Sequence, residues 1–217
     1  GLFHPPEQIA AISQLGSGNV NDTFLVTLNH SASRSAFVMQ RLNTEVFEQP
    51  ELVMRNLLKL GSHVEQRLAQ QPPELLGRRW EVPKVLPTLD AHGHWVEHQG
   101  EFWRSITHIG AATTTDVIQD DLHARELGYG LGMFHHLISD LATDELADTL
   151  ENFHIAPAYL AEFDLVFSRS NDQISHRTTQ AVSFIEERRQ GIDVLEQACA
   201  RGELKRRPIH GDPKINN

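Results

Sequence analysis

Four residues at the end of the sequence have the types and the spacing that phosphoryl transfer requires. They are His210, Asp212, Lys214 and Asn217, in the pattern H-x-D-x-K-x-x-N. In this pattern the Asp can accept the proton of an attacking hydroxyl, while the Asn can turn back to hold Mg²⁺ between phosphates. Lys214 can neutralise charge on the transferred group, and we expect His210 to brace the loop backbone rather than to move protons. The alternative interpretation is a solvated turn, and the residues alone leave it open.

A second candidate site is the bend that contains Gly16 and Gly18. It precedes the apolar, β-branched run 23–28, so the pattern predicts a strand, a turn and a second strand. Because glycine lacks a side chain, backbone N–H groups in such a turn can approach phosphates closely. A lone Gly-x-Gly is more often an ordinary hairpin, so its value depends on the elements that follow.

The first half of the sequence predicts a small, mostly antiparallel sheet with one helix. The run 36–42 predicts a third strand, and Pro50 opens a helix that ends before a Pro-Pro pair. Residues 82–89 and 95–109 are predicted to form a further hairpin around a turn at Gly93. The apolar face of the helix follows a spacing of three and four residues and comprises Val53, Leu57, Leu60, Val64 and Leu68.

After Gly110 the apolar period becomes helical. Asp120 and Asp121 can cap the start of a helix and favour its positive end. Gly128 and Gly132 inside this helix lower its stability unless another backbone packs closely against them. The apolar face of the helix is predicted to contain Leu127, Leu131, Phe134, Ile138 and Leu141.

Further helices are predicted toward the end of the chain. Pro157 opens one of them, and the apolar residues of 182–195 mark one long or two shorter helices that end near Gly202. The fold class is therefore α+β. We expect two parts, 1–109 with the sheet and one helix, and 110–217 with the helices and the terminal loop.

Composition excludes several classes of protein. The 217 residues carry 19 Lys and Arg against 29 Asp and Glu, a formal charge of -10, which disfavours nucleic acid and acidic membrane surfaces as partners. No apolar run approaches the length of a membrane span, which is about 20 residues. The single cysteine, Cys199, cannot form an internal disulfide, so we expect a reducing compartment and a cytoplasmic location.

The order of these features is that of a kinase: a glycine bend, a strand, a helix, more strands, helices and then the loop with the Asp. Several segments resemble the aminoglycoside-phosphotransferase-like kinases, and the resemblance spans almost the whole chain. Its most specific parts are the terminal loop and the run Gln40-Arg41-Leu42-Asn43. The segments that carry it are 16–24, 37–43, 46–47, 51–56, 152–154 with Pro157, and 210–217.

The resemblance implies a protein-kinase-like fold of two lobes, with ATP and Mg²⁺ held between an antiparallel sheet and a helical lobe. It makes Asp212 the catalytic base, with Lys214 and His210 beside it, and Asn217 a magnesium ligand. Backbone groups near His108 and Ile109 would contact the adenine. The residues implied to bind the nucleotide are Gly16, Ser17, Gly18, Asn19, Val38, Gln40, His108 and Ile109.

Two features depart from the protein-kinase pattern. Gln40 stands where a protein kinase carries the strand lysine that contacts the phosphates, and Arg41 is expected on the opposite face. A glutamine there is similar to the members of the family that phosphorylate N-acetylhexosamines. The acidic magnesium ligand that follows the catalytic loop would lie beyond Asn217. We therefore expect the sequence to be a piece of a longer protein, with its helical lobe truncated.

The activity implied by the resemblance is transfer of the γ-phosphate of ATP to a hydroxyl of a small molecule. The first expectation is the anomeric hydroxyl of an N-acetylhexosamine. Choline, homoserine and aminoglycosides are alternative acceptors, because the same loop serves all of them, so the expected substrate is a sugar or an amino alcohol. A third hypothesis is a nucleotide-binding protein without catalysis, which Gln40 and the missing second metal ligand suggest.

Two other clusters have simpler interpretations. His92, His94 and His98 have a spacing that zinc can use, but Gly93 predicts a hairpin tip where polar residues face water. Packing rather than sugar stacking is expected of the three tryptophans, which are Trp80, Trp95 and Trp103.

Overall fold

The structure is a computed structural model, and it describes residues 1–16, 18, 20–29, 36–110, 112, 115–170 and 175–215. The fold is mixed α+β, with a five-stranded antiparallel sheet and several helices. The chain forms two compact units. The first comprises Gly1–Thr149 with Arg207–Asn217, and the second comprises Leu150–Arg206. The expected division into functional lobes at 109 and 110 stays a prediction.

The strands are β1 Ile9–Gln14, β2 Asp22–Leu28, β3 Ala36–Leu42, β4 Trp95–His98 and β5 Glu101–Thr107. They are ordered β1-β2-β3-β5-β4 in the sheet, and every neighbouring pair is antiparallel. The predicted third strand is confirmed over its whole length. Thr23, Gln40, Arg104 and Trp95 are direct partners across four strands. Directly opposed residues share a face of the sheet, so these four side chains form one row.

The predicted hairpin around Gly93 is only partly confirmed: the chain turns there, since the N–H of Thr88 donates to the carbonyl of Gly93 at 2.9 Å, but this turn does not join two strands of the sheet. The turn that joins two strands lies instead at Gln99 and Gly100, whose φ angles of 55° and 80° are those of a tight turn between antiparallel strands. Residues 82–89 form no strand and pair with β5 only through a bridge from Val85 to Ile106 and flanking hydrogen bonds. The physical reason is that the prolines at 83 and 87 have no N–H to donate to a ladder.

The first helix, α1, spans Pro50–Ala69 and packs against two partners. Near its start, Met54 is fully buried with Leu42 and Phe102 of the sheet. Farther along, Val64 is fully buried against the helix that follows the sheet. The predicted apolar face is therefore confirmed at Val53, Leu60, Val64 and Leu68, which pack in these two clusters. It omitted Met54, because the helix turns a second face toward the sheet.

The second helix, α2, spans Asp121–Ile138 and starts as predicted. Asp120 is its N-cap, and Oδ1 of Asp120 accepts a hydrogen bond from the N–H of His123 at 2.7 Å. The helix ends before Leu141, although that residue is buried. The close backbone expected beside Gly128 and Gly132 is absent, since a Cβ at either position would meet no described atom within 4 Å.

The described residues of the unit Leu150–Arg206 form three α-helices: α3 Ala156–Arg169, α4 His176–Arg188 and α5 Val194–Ala200. The two shorter helices predicted before Gly202 are thus confirmed. Arg189 connects α3 to α4, because its guanidinium binds Asp164 at 2.8 Å and also pairs with Glu186. Across the described ranges of both units, no helix is long and apolar enough to cross a membrane.

Candidate nucleotide site and terminal loop

The glycine bend connects β1 to β2. Gly16 has a φ angle of +74°, a left-handed conformation that glycine adopts without steric cost. The base of the bend is closed by the N–H of Leu15, which donates to the carbonyl of Thr23 at 2.8 Å. Gly18 is exposed, and the predicted nucleotide-binding residues Ser17 and Asn19 lie outside the described residues.

Gln40 lies on β3 between two hydrogen-bond partners. Its Nε2 donates to Oγ1 of Thr23 at 3.0 Å, and its Oε1 accepts from Nε of Arg104 at 3.0 Å. Both ends of the amide are therefore engaged within the sheet. Val38 lies two residues earlier on the same face and is buried. In this arrangement Gln40 orients Arg104, while Val38 contributes apolar surface beside it.

Arg104 is the most unusual charged residue of the sheet. It lies on β5 between Phe102 and Ile106 in the face-alternating pattern, and it is half-buried. Burial lowers the pKa of Arg104 to about 10, so the guanidinium is still protonated at neutral pH. It forms no ion pair with any carboxylate in the described part of the chain. A cation that is partly removed from water lowers the stability of the fold when no counter-charge is present.

Arg41, the neighbour of Gln40 on β3, contrasts with Arg104. It pairs with Asp22 and, at 2.8 Å, with Glu101. The hydrogen bond to Asp22 and the charges of both carboxylates raise the pKa of Arg41 above its ordinary value. Because side chains alternate along a strand, Arg41 lies on the face opposite to Gln40. The charge of Arg41 is therefore already compensated.

The residues predicted to contact the adenine, called the hinge from here on, border a separate cleft. His108 is exposed and Ile109 is half-buried, and both line a cavity of about 600 Å³. The wall of this cavity includes Leu68 from α1 and Trp80 from the segment before β4. Among the described residues, the side-chain hydrogen bonds of Gln40 go to Thr23 and Arg104 and none goes to the hinge.

The terminal loop is anchored on α2 through His210. The backbone N–H of His210 donates to Nε2 of His135 at 3.2 Å. The ring of His210 meets the ring of Phe134 edge-on, with 5.6 Å between their centroids. His135 must be neutral at Nε2 to accept this bond. The helix therefore fixes the position at which the loop begins.

His210 also braces the next turn of the loop. Its Nδ1 accepts a hydrogen bond from the backbone N–H of Asp212 at 3.4 Å, and Gly211 between them has a φ angle of +84°. The N–H of Lys214 in turn donates to the carbonyl of Asp212 at 3.0 Å. This geometry agrees with a bracing role for His210, which the sequence suggested.

Asp212 and Lys214 project side chains that are each about 59% exposed. Nζ of Lys214 lies 3.6 Å from Oδ2 of Asp212, so the two form an ion pair inside the loop. Asn217, the predicted magnesium ligand, lies outside the described residues. The amide oxygen of an asparagine is a hard oxygen ligand of the kind that Mg²⁺ prefers, so the residue type of Asn217 fits the ion.

The structure thus brings the predicted residues into separate groups. Val38 and Gln40 share one face of the sheet with Arg104, while His210, Asp212 and Lys214 cluster at the end of α2. Within the described ranges, no hydrogen bond or ion pair joins Gln40 to the terminal loop.

Sequence reasoning missed two residues of these groups, Arg104 and His135. A signal existed for Arg104, because it is the only charged residue between Phe102 and Ile106 and occupies an inward position of that strand. His135 had a weaker signal, since the sequence gives His135-His136 as a pair and only the fold shows which ring meets the loop.

The other candidate clusters contribute no site. No group of three His, Cys, Asp or Glu side chains in the described part of the chain could hold a metal ion, and this part includes His92, His94 and His98. The tryptophans pack as predicted: Trp95 stacks on Phe102, Trp103 lies in the sheet core and Trp80 packs beside α1 and α2.

Comparison with protein-family models and with curated proteins found no match for this chain. The resemblance to the aminoglycoside-phosphotransferase-like kinases therefore rests on the motifs of the sequence, and family membership stays a prediction.

Proposed function

We propose that the protein is a small-molecule kinase of the aminoglycoside-phosphotransferase-like type, and that its motifs are closest to those of N-acetylhexosamine 1-kinases. It transfers the γ-phosphate of ATP to the anomeric hydroxyl of an N-acetylhexosamine in the cytoplasm. A protein-kinase-like arrangement of two lobes, with the divide near residues 109 and 110, belongs to this proposal.

The observation that supports it best is the way in which the terminal loop holds Asp212. His210 is tied to α2 by one hydrogen bond and accepts another from the N–H of Asp212. The backbone N–H of Lys214 donates a third hydrogen bond to the carbonyl of Asp212. A solvated turn needs no such bracing, whereas a catalytic carboxylate depends on a fixed position.

The proposed chemistry assigns each residue of the loop a task. Asp212 accepts the proton of the acceptor hydroxyl as that oxygen attacks phosphorus, and Lys214 offsets negative charge on the transferred group. Bound MgATP supplies the phosphoryl group and the metal charge. Positioning and charge compensation then provide most of the rate gain.

The proposal is tested with the full natural protein, MgATP and a panel of N-acetylhexosamines. Phosphorus NMR detects a sugar 1-phosphate, and a coupled assay measures turnover. The isosteric change Asp212→Asn removes the base and is expected to lower kcat by about a hundredfold or more. ATP affinity should change little, because the γ-phosphate is bound by other groups.

Asp144→Asn serves as the control, since Asp144 is an exposed acid outside the terminal loop and should keep normal turnover. Normal turnover in the Asp212→Asn protein would overturn the proposed role of Asp212. Absence of any sugar phosphate in the unaltered protein would overturn the proposed substrate.

Two rival functions are outcomes of the same experiment. Turnover with choline, homoserine or an aminoglycoside, but not with amino sugars, would assign a different acceptor to the same loop. Binding of ATP without turnover on any acceptor would favour a nucleotide-binding protein without catalysis. The engaged amide of Gln40 is compatible with either rival.

A further inference from the structure

We propose that Arg104 supplies the positive charge that contacts a phosphate of the nucleotide, the task that the strand lysine performs in protein kinases. The identity of the ligand rests on the proposed function, while the position of the charge follows from the strand pairing in the sheet. Gln40 occupies the position of the lysine on β3, and Arg104 is its direct partner on β5. The charge is displaced by one strand, a distance of about 4.8 Å.

A chain of hydrogen bonds connects Arg104 to the glycine bend. Nε of Arg104 donates to Gln40, whose Nε2 donates to Oγ1 of Thr23, and the carbonyl of Thr23 accepts from the N–H of Leu15 at the base of the bend. The guanidinium is thus fixed relative to the bend. Its two Nη groups form a fork that suits two oxygens of one phosphate.

The Nη groups of Arg104 are available for such a ligand. In the described residues neither has a hydrogen-bond partner. They are also not sealed from solvent, because the fully buried polar atoms without a partner belong to Arg67, Trp80, Ser105 and Glu196. Arg104 therefore combines a fixed Nε with two accessible donors.

The charge of Arg104 is uncompensated within the described chain. No described carboxylate pairs with it, and burial is the cause that lowers its pKa to about 10. By contrast, Arg41 on the opposite face has two carboxylate partners. A phosphate would provide the missing counter-charge and the two acceptors together.

The experiment measures binding of MgATP and of adenosine to the full natural protein by calorimetry. Arg104→Gln is expected to weaken ATP binding by about tenfold to a hundredfold, the loss of a hydrogen-bonded charge pair. Adenosine carries no phosphate, so its affinity should change less than about twofold. An Arg104→Gln protein that binds ATP as tightly as the unaltered protein would overturn the inference.

Two further variants keep the test independent of folding defects. Gln40→Glu changes one atom of the side chain and places a carboxylate beside the guanidinium, so ATP binding should weaken by about tenfold while the melting temperature does not fall. Unchanged ATP affinity in this variant would contradict the inference. Arg41→Gln is the matched control on the opposite face and should bind ATP normally.

If the proposed function is wrong but the inference about Arg104 is right, the binding experiments give a different pattern. An unaltered protein that binds neither ATP nor adenosine would refute nucleotide binding. Inorganic tripolyphosphate then tests the anion site alone: it should raise the melting temperature of the unaltered protein and not that of Arg104→Gln. A shift that is equal in both proteins, or absent from both, would overturn the inference about Arg104.

Discussion

Asn56 and Ala147 exchange two hydrogen bonds although they are 91 positions apart in the sequence. Nδ2 of Asn56 donates to the carbonyl of Ala147, and the N–H of Ala147 donates to Oδ1 of Asn56, both at 2.8 Å. The side chain amide thereby satisfies both backbone groups of one residue. This pair fastens the segment after α2 to the middle of α1.

Removal of this amide should destabilise the protein. Asn56→Ala leaves the N–H and the carbonyl of Ala147 without partners, which is expected to cost about 1–3 kcal/mol of the free energy of unfolding. Urea unfolding followed by circular dichroism measures the change. Gln66→Ala on an exposed position of α1 is the control, and equal destabilisation by both changes would show that the paired bonds are not the cause.

Substitution of His135 should loosen the terminal loop. His135→Phe keeps an aromatic ring but removes the acceptor for the N–H of His210, so backbone amides of 210–215 are expected to exchange hydrogen about two- to tenfold faster. Mass spectrometry of peptides from this region measures the exchange. His136→Phe alters the adjacent ring, which faces Glu74 and Arg67 instead, and should leave the loop unchanged. Equal acceleration in the two proteins would argue against the anchor.

Replacement of Arg104 should stabilise the protein in the absence of ligand. A lowered pKa in the folded state means that the fold disfavours the protonated form of the base. At every pH below the folded pKa the base is protonated, so it destabilises the folded protein. Burial lowers the pKa of Arg104 from its ordinary value to about 10, so the destabilisation persists at neutral pH and is relieved only above pH 10. Arg104→Gln is expected to raise the free energy of unfolding at neutral pH by an amount on the order of 1–3 kcal/mol.

The opposite sign is expected for Arg41→Gln, because that change removes two ion pairs. Urea titrations of both ligand-free variants measure the difference. An Arg104→Gln protein that unfolds at lower urea than the unaltered protein would mean that the guanidinium has a structural partner.

Acid should weaken the contact between α3 and α4 through Arg189. Its hydrogen bonds lower the pKa of Asp164 below 3.8 and that of Glu186 below 4.5. Carboxylates with a lowered folded pKa contribute stability above their unfolded pKa, and this contribution is lost as pH falls through the folded value. Protection of 156–169 and 176–188 against hydrogen exchange should therefore decline below about pH 4.

Arg189→Gln should remove this acid dependence, because the carboxylates lose the partner that lowers their pKa. Arg177→Gln changes an exposed arginine at the start of α4 and should retain it. A decline below pH 4 that is identical in the Arg189→Gln protein would assign the acid sensitivity to other groups.

Local patterns were sufficient to predict much of the fold. β3 was predictable because its apolar run follows a clearly polar segment, and α2 was predictable because Asp120 stands at its N-cap. The hairpin was misplaced because Gly93 is a turn residue, whereas Pro83 and Pro87 prevent a strand before it. Such a failure arises when one local signal contradicts another.

The candidate site was harder to predict because its contacts are long-range. Gln40 and Arg104 are separated by 64 positions, and His135 and His210 by 75. The sequence shows a glutamine at position 40 where a lysine is expected, but only strand pairing shows which cation stands beside it. The terminal loop was recognisable because its residues are close together in the chain.

The open space beside the glycines of α2 allows substitutions that raise the stability of the protein. Alanine at Gly128, Gly130 or Gly132 would meet no described atom within 4 Å, and each exchange removes backbone freedom from the unfolded chain. A gain of roughly 0.5–1 kcal/mol per position is expected, visible as a higher melting temperature. The helix that carries the anchor of the terminal loop can therefore be made more rigid without any change to the residues assigned to binding or transfer.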